Sequence, residues 1–61
     1  MSTIKYELTI KPGILPVHRH DIEKALIKNG FEVTNGGTGF DHDADGNPFP
    51  EFSDISFEME V

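Results

Sequence analysis

The residues best suited to chemistry lie in one acidic stretch, Asp41 to Asn47, which reads D-x-D-x-D-G. In calcium loops, alternate carboxylates at this spacing converge on the cation, and the glycine permits a sharp turn. The twelfth position should then be an acid, but it is Phe52. The pattern disfavours an EF-hand and leaves two alternatives: a weaker calcium site, or a solvated acidic loop whose side chains cap turns. The candidate calcium ligands are Asp41, Asp43, Asp45, Asn47 and Glu51.

Three histidines raise the possibility of a zinc or nickel site. His18 and His20 are two residues apart, a spacing that places them on different sides of a helix and allows joint chelation on an extended segment alone. His42, flanked by two aspartates, is the better candidate ligand.

A glycine-rich segment, Gly36 to Gly39, invites comparison with a phosphate-binding loop. It lacks the GK[ST] ending and precedes no predicted helix, so it indicates a strand-ending turn or bulge. The chain has no cysteine, none of its serines has a histidine near it in sequence, and 61 residues leave little room for an enclosed pocket. We therefore expect no enzymatic activity, and no cofactor apart from calcium in the alternative above.

The elements that must position these residues are read from hydrophobic periodicity. Strict alternation predicts half-buried strands at 3–11 and 54–61, and a shorter strand at 31–35. A helix is predicted at 16–29, because Pro16 suits a first helical turn and Gly30 suits the left-handed position after a last turn. The acidic loop is predicted at 37–52. The expected sheet-facing stripe of the helix is Ile22, Ala25, Leu26 and Asn29, with Leu15 or His18 a turn earlier.

This order predicts a single α+β domain of βαββ type. A crossover between two parallel strands, followed by an antiparallel strand, places the last strand most simply between the first two, in the order 1-3-2 with the helix on one face. At the level of element order the arrangement resembles half of a ferredoxin-like sheet. The first strand is then an open edge on a domain with a small core, so we expect two copies to pair into a homodimer.

Charge is distributed unevenly along the chain, whose net charge is −6. The first 30 residues carry all five bases and three acids, whereas the remainder carries eight acids and no base. Such a balance argues against nucleic acid as a partner, since phosphate binding needs a basic patch. No apolar run is long enough to span a bilayer, and we expect a cytoplasmic protein without a membrane partner.

These features favour a small acidic interaction or assembly module, of the size that phages and plasmids encode. It would present an acidic surface to a basic protein partner. The predicted partner-binding residues are Asp54, Glu58 and Glu60, on the polar side of the last strand. The calcium-binding domain described first is the alternative function.

Overall fold

The computed structural model describes residues 2–61, which form one helix and three strands. The elements are β1 (Thr3–Ile10), α1 (Pro16–Lys28), β2 (Glu32–His42) and β3 (Pro48–Glu60). β3 lies in the middle of the sheet and is antiparallel to both neighbours, giving the order β1-β3-β2. The predicted α+β class, strand order and helix are confirmed.

The register places apolar side chains of β1 and β3 on the same face of the sheet, here called the apolar face. Directly opposite residues include Tyr6 with Phe57 and Leu8 with Ile55. Paired residues of an antiparallel ladder point to the same side, and successive residues alternate between sides. The opposite face carries the polar residues between them and is called the acidic face.

The predicted loop at 37–52 is wrong, because both neighbouring strands continue through it. β2 runs to His42 and β3 begins at Pro48, so the connection is the turn at 43–47. The predicted short strand at 31–35 and last strand at 54–61 are each longer and begin elsewhere. The glycines suggested an end to the strand, yet Gly36, Gly37 and Gly39 all pair with β3. The register does shift between Gly39 and Phe40, but the extra residue there is Glu51 of β3.

Two prolines, Pro48 and Pro50, are accommodated within β3. The carbonyl of Pro50 accepts a hydrogen bond from the Gly13 N–H, on the side of β3 away from β2. In a strand the N–H and C=O of one residue point to the same side, so the missing donor of Pro50 costs no bond to β2. β3 therefore tolerates Pro50 at a point where it pairs with β2 on one side and contacts only the loop after β1 on the other.

Both predicted signals at the ends of α1 are confirmed. Pro16 is the first helical residue, and Gly30 has a positive φ of 92°. The Gly30 N–H bonds to the Ile27 carbonyl, and the Phe31 N–H bonds to the Leu26 carbonyl. This pair of bonds is a Schellman motif, which ends the helix and turns the chain into β2.

The sheet-facing stripe of α1 differs from the predicted one. Beyond its first residue, the half-buried residues of the helix are Arg19, Ile22, Glu23 and Leu26. Four residues of the predicted stripe are exposed instead: Ala25, Asn29, Leu15 and His18. The helix is rotated so that a charged pair, Arg19 and Glu23, lies against β2. Gly36 allows the ends of both side chains to lie close to the strand, because a Cβ there would overlap the Arg19 guanidinium and the Glu23 carboxylate and displace them.

The fully buried core is small and the molecule is elongated. Among residues 2–61, Ile55 and Ser53 alone are fully buried. The radius of gyration is 13.7 Å, against about 10.5 Å expected for a compact chain of this length. The excess comes largely from the far end of the β2–β3 hairpin, Phe40 to Phe49, where every residue is exposed. This segment is called the arm.

Candidate functional site

The D-x-D-x-D-G motif forms the turn at the tip of the arm. One carboxylate oxygen of Asp43 accepts hydrogen bonds from the N–H groups of Asp45 and Asn47, each at 2.9 Å. The Asp43 N–H bonds to the Asn47 carbonyl, and Gly46 supplies a positive φ of 80°. The spacing that resembles half of a calcium loop therefore closes a hairpin through an Asx-type turn.

The five predicted calcium ligands are not assembled around a common point. Asp41 lies in β2 opposite Phe49, and Glu51 lies within β3 beyond the arm. In the described part of the chain, no group of three Asp, Glu, His or Cys residues is placed to hold a metal ion. Neither the calcium alternative nor the histidine alternative gains support from this geometry, and both stay predictions.

A polar network that the sequence did not suggest lies between the helix and the sheet. The fully buried Ser53 hydroxyl accepts a hydrogen bond from the Ile14 N–H and donates one to the Ile14 carbonyl, both at 3.0 Å. Its oxygen is also 3.4 Å from the Thr38 hydroxyl, which accepts a bond from Arg19 Nε. Arg19 in turn pairs with Glu23, and these side chains are 12% and 17% exposed. The network fixes the position of α1, and Ser53 is too enclosed to act as a nucleophile.

The apolar face is covered over only part of its width. α1 packs over β2 and β3, and within residues 2–61 no Cα atom of α1 lies within 8 Å of a Cα atom of β1. Phe31 covers Tyr6 and Phe57 at one end, where the three rings make one stacked and two edge-to-face contacts. Even so, Ile4, Tyr6 and Leu8 remain 41%, 40% and 36% exposed. These three side chains form the β1 apolar row.

The outer edge of β1 has no neighbouring strand within residues 2–61. Ser2 and Val61 exchange two backbone hydrogen bonds, so they form a hydrogen-bonded pair of the β1–β3 ladder. Since such pairs alternate along an antiparallel ladder, the even-numbered residues of β1 direct their backbone groups to β3. The odd-numbered ones direct theirs outward. This free edge therefore offers the N–H and C=O groups of Thr3, Lys5, Glu7 and Thr9.

The acidic face carries five carboxylates and one ammonium group, drawn from all three strands. Three of the glutamates line a notch of about 200 Å³ together with Thr3 and Gly30; they are Glu32, Glu58 and Glu60. Glu32 lies directly opposite Glu58 in the ladder, a juxtaposition of like charges. This glutamate notch brings together two of the three predicted partner-binding residues, while Asp54 lies further along β3, opposite Thr9.

Glu32 was missed by sequence reasoning, because nothing in the sequence sets the register of β2 against β3. Only the observed pairing shows that it faces Glu58. A second, shallow groove of about 440 Å³ lies nearby and is lined by Lys5, Tyr6, Glu7, Thr34, Ser56, Phe57 and Glu58. Carboxylates at both grooves make this face suitable for a cationic side chain.

The chain matches no protein-family model, no curated protein and no solved structure. No helix among the described residues has the length and apolar character needed to cross a membrane. The free edge, the β1 apolar row and the glutamate notch are therefore the features on which a functional proposal is based.

Proposed function

We propose that this protein is a non-catalytic interaction module. In this proposal it works as a homodimer joined along the free edge of β1, and its acidic face binds a basic protein surface. The observation that carries the proposal is the combination found on one strand: β1 is a regular edge with no outer neighbour among residues 2–61, and its apolar row is more than a third exposed. Exposed regular edges are normally paired, covered or interrupted.

The two edges of the sheet differ in a way that favours β1 as the dimer contact. Pairing of β1 with β3 is regular from Thr3 to Ile10. Pairing of β2 with β3 shifts register twice: after Val33, where Thr34 is the extra residue on β2, and after Gly39, where the extra residue, Glu51, lies on β3. The bulge at Thr34 is therefore on the outer strand itself, and a bulge there twists the edge and discourages pairing with another strand.

The size of the molecule also favours association. Its accessible surface is 4437 Å², against about 4,000 Å² expected for a monomer of 6.8 kDa. Antiparallel pairing of two β1 strands would give a six-stranded sheet with both helices on one side. The two apolar rows would then lie side by side, and the half-ferredoxin-like arrangement would be completed by the second copy.

The acidic face supports the second part of the proposal. Pairing through β1 leaves this face open in both copies, so the dimer would present two glutamate notches on one continuous surface. The carboxylates of each notch repel one another, and a bound Lys or Arg side chain would reduce this repulsion. A basic protein surface is therefore the partner whose chemistry complements this face.

Sedimentation equilibrium on the wild-type chain and on Thr9→Pro tests the dimer. The Thr9 N–H points outward and bonds to nothing within residues 2–61, so proline should remove an intermolecular bond and leave the β1–β3 ladder intact. We expect a dimer at micromolar concentration for the wild type, and a folded protein that dissociates more readily for Thr9→Pro. A wild-type monomer of full thermal stability would contradict the proposal.

A further inference from the structure

The structure also determines how two β1 strands can align, if they pair as proposed above. The outward backbone groups belong to the odd-numbered residues of β1. Hydrogen-bonded pairs across a two-fold axis must therefore join odd residues with odd residues. Three such alignments overlap over most of the strand. They place Lys5 opposite Lys5, Lys5 opposite Glu7, or Glu7 opposite Glu7.

Charge selects among these three alignments. Like charges directly opposite each other on adjacent strands are destabilising, and opposite charges are stabilising. The first and third alignments each place two identical charges at the axis. The second forms two Lys5–Glu7 pairs, one on each side of the axis, and pairs Thr3 with Thr9 at each end. It also pairs residues 3 to 9 of each copy, and neither of the other two alignments pairs a longer stretch of β1.

We infer that the chain forms a two-fold symmetric dimer in which Lys5 of each copy lies opposite Glu7 of the other. Tyr6 then meets Tyr6 of the second copy at the axis, and Ile4 meets Leu8. Both contacts lie on the apolar face, so the three half-exposed side chains of the β1 apolar row become each other's neighbours. The ion pairs on the polar face of the strand and the apolar contacts on its other face thus favour the same alignment.

Charge reversal at the edge tests this alignment. In Glu7→Lys, both ion pairs become Lys–Lys contacts, so the dimer dissociation constant should rise by about tenfold or more. The variant also makes the net charge less negative than −6, which by itself would favour association. A weaker dimer would therefore report the local contact. Asp54→Lys, which changes the net charge equally on the acidic face but away from the edge, is the matched control and should not weaken the dimer.

Restoring the pair provides the second arm of the experiment. The double variant Lys5→Glu/Glu7→Lys reverses both partners and should recover a dissociation constant near that of the wild type. Lys5 also faces Glu58 within the chain, so circular dichroism and thermal melting must show that each variant is folded. A double variant weaker than Glu7→Lys alone would overturn the alignment.

Cysteine cross-linking gives a readout that does not depend on charge. The chain has no cysteine of its own. Residues directly opposite at the axis would have Cα atoms about 4.5 Å apart, within the range of a disulfide. Tyr6→Cys should therefore form a covalent dimer on oxidation, whereas Leu8→Cys alone should not. A mixture of Ile4→Cys and Leu8→Cys chains should cross-link as well, and it leaves the Tyr6–Phe57 stacking in place.

The outcomes separate this inference from the proposed function on which it rests. A wild-type monomer in sedimentation would remove the dimer and the alignment together. A wild-type dimer whose affinity is unchanged in Glu7→Lys, or which cross-links through Leu8→Cys alone, would keep the dimer and overturn the alignment.

Discussion

The backbone of Gly13 lies directly against the backbone of Phe52, so that a Cβ on Gly13 would lie 2.7 Å from the Phe52 carbonyl carbon. This contact joins the loop after β1 to the middle of β3, and it is reinforced by bonds from the Gly13 N–H to the carbonyls of Pro50 and Glu51. The loop thereby continues along the side of β3 that β1 occupies, beyond the last residue of β1.

Gly13→Ala should be strongly destabilising, because backbone cannot move aside as a flexible side chain can. We expect a loss of about 1–3 kcal/mol in the free energy of unfolding, measured by urea denaturation. Gly37→Ala is the matched control, since a Cβ there meets nothing within 4 Å. Equal stability of the two variants would contradict the close approach.

Ser53→Ala should destabilise the protein by about 1–3 kcal/mol, because it leaves the backbone groups of Ile14 without their side-chain partner. Thermal melting or urea denaturation measures the effect. Ser56→Ala, on the acidic face of the same strand, should cost less than about 0.5 kcal/mol. If the two serines proved equivalent, the network beneath the helix would not be what positions α1.

Asp43→Ala should loosen the arm without unfolding the sheet. It removes two hydrogen bonds that close the turn, each worth about 1 kcal/mol. Backbone chemical shifts should lose their strand character near His42 and Pro48 and keep it near Ile55. The control Asp45→Ala removes a neighbouring carboxylate that accepts no hydrogen bond within residues 2–61, and it should leave the arm unchanged.

Addition of calcium tests the alternative function. Because the Asp43 carboxylate is engaged by backbone N–H groups and no three ligands converge in the part of the chain that the structure describes, we expect millimolar calcium to leave the melting temperature unchanged. A ligand that binds the folded state at a hundred times its dissociation constant would stabilise it by about 2.7 kcal/mol. A rise in melting temperature that a chelator reverses would establish the calcium site.

Neutralising the glutamate notch should weaken binding to a basic probe. The probe is a ten-residue oligolysine peptide. Its binding is measured by isothermal titration calorimetry at two salt concentrations. We expect Glu32→Gln/Glu58→Gln/Glu60→Gln to lose about tenfold in affinity, with a smaller salt dependence. A triple variant of equal net charge, Asp21→Asn/Asp45→Asn/Glu51→Gln, should lose much less. Equal losses would mean that the net charge of the chain, rather than this face, attracts the peptide.

The regular alternation of β1 and of the second half of β3 made the class and the strand order predictable from sequence, and Pro16 and Gly30 made the two ends of the helix predictable. The extent of the hairpin was not, because glycine and proline normally mark turns, and only the paired backbone shows that Gly37 and Pro50 belong to strands. The rotation of α1 was also hidden. A charged Arg19–Glu23 pair facing the sheet contradicts the hydrophobic stripe, and the ends of both side chains lie where a Cβ on Gly36 would be their neighbour.

The candidate surfaces were predicted in part. Glu58 and Glu60 could be placed on a polar face from alternation alone, since they are two residues apart in a strand. The third member of the notch comes from another strand and depends on register. The D-x-D-x-D-G spacing pointed toward a cation because spacing in sequence does not distinguish a loop that wraps an ion from one that bonds to its own backbone.

The arm makes β3 a strand of two very different local stabilities. Near Ser53 and Ile55, β3 is buried between two neighbours, whereas at Phe49 it belongs to an exposed two-stranded ribbon. Local opening can release the ribbon without disturbing the rest of the sheet. Backbone amides in the two parts of this one strand should therefore differ widely in hydrogen-exchange protection. We expect the Phe49 amide to exchange within minutes and the Ile55 amide to exchange only through global unfolding.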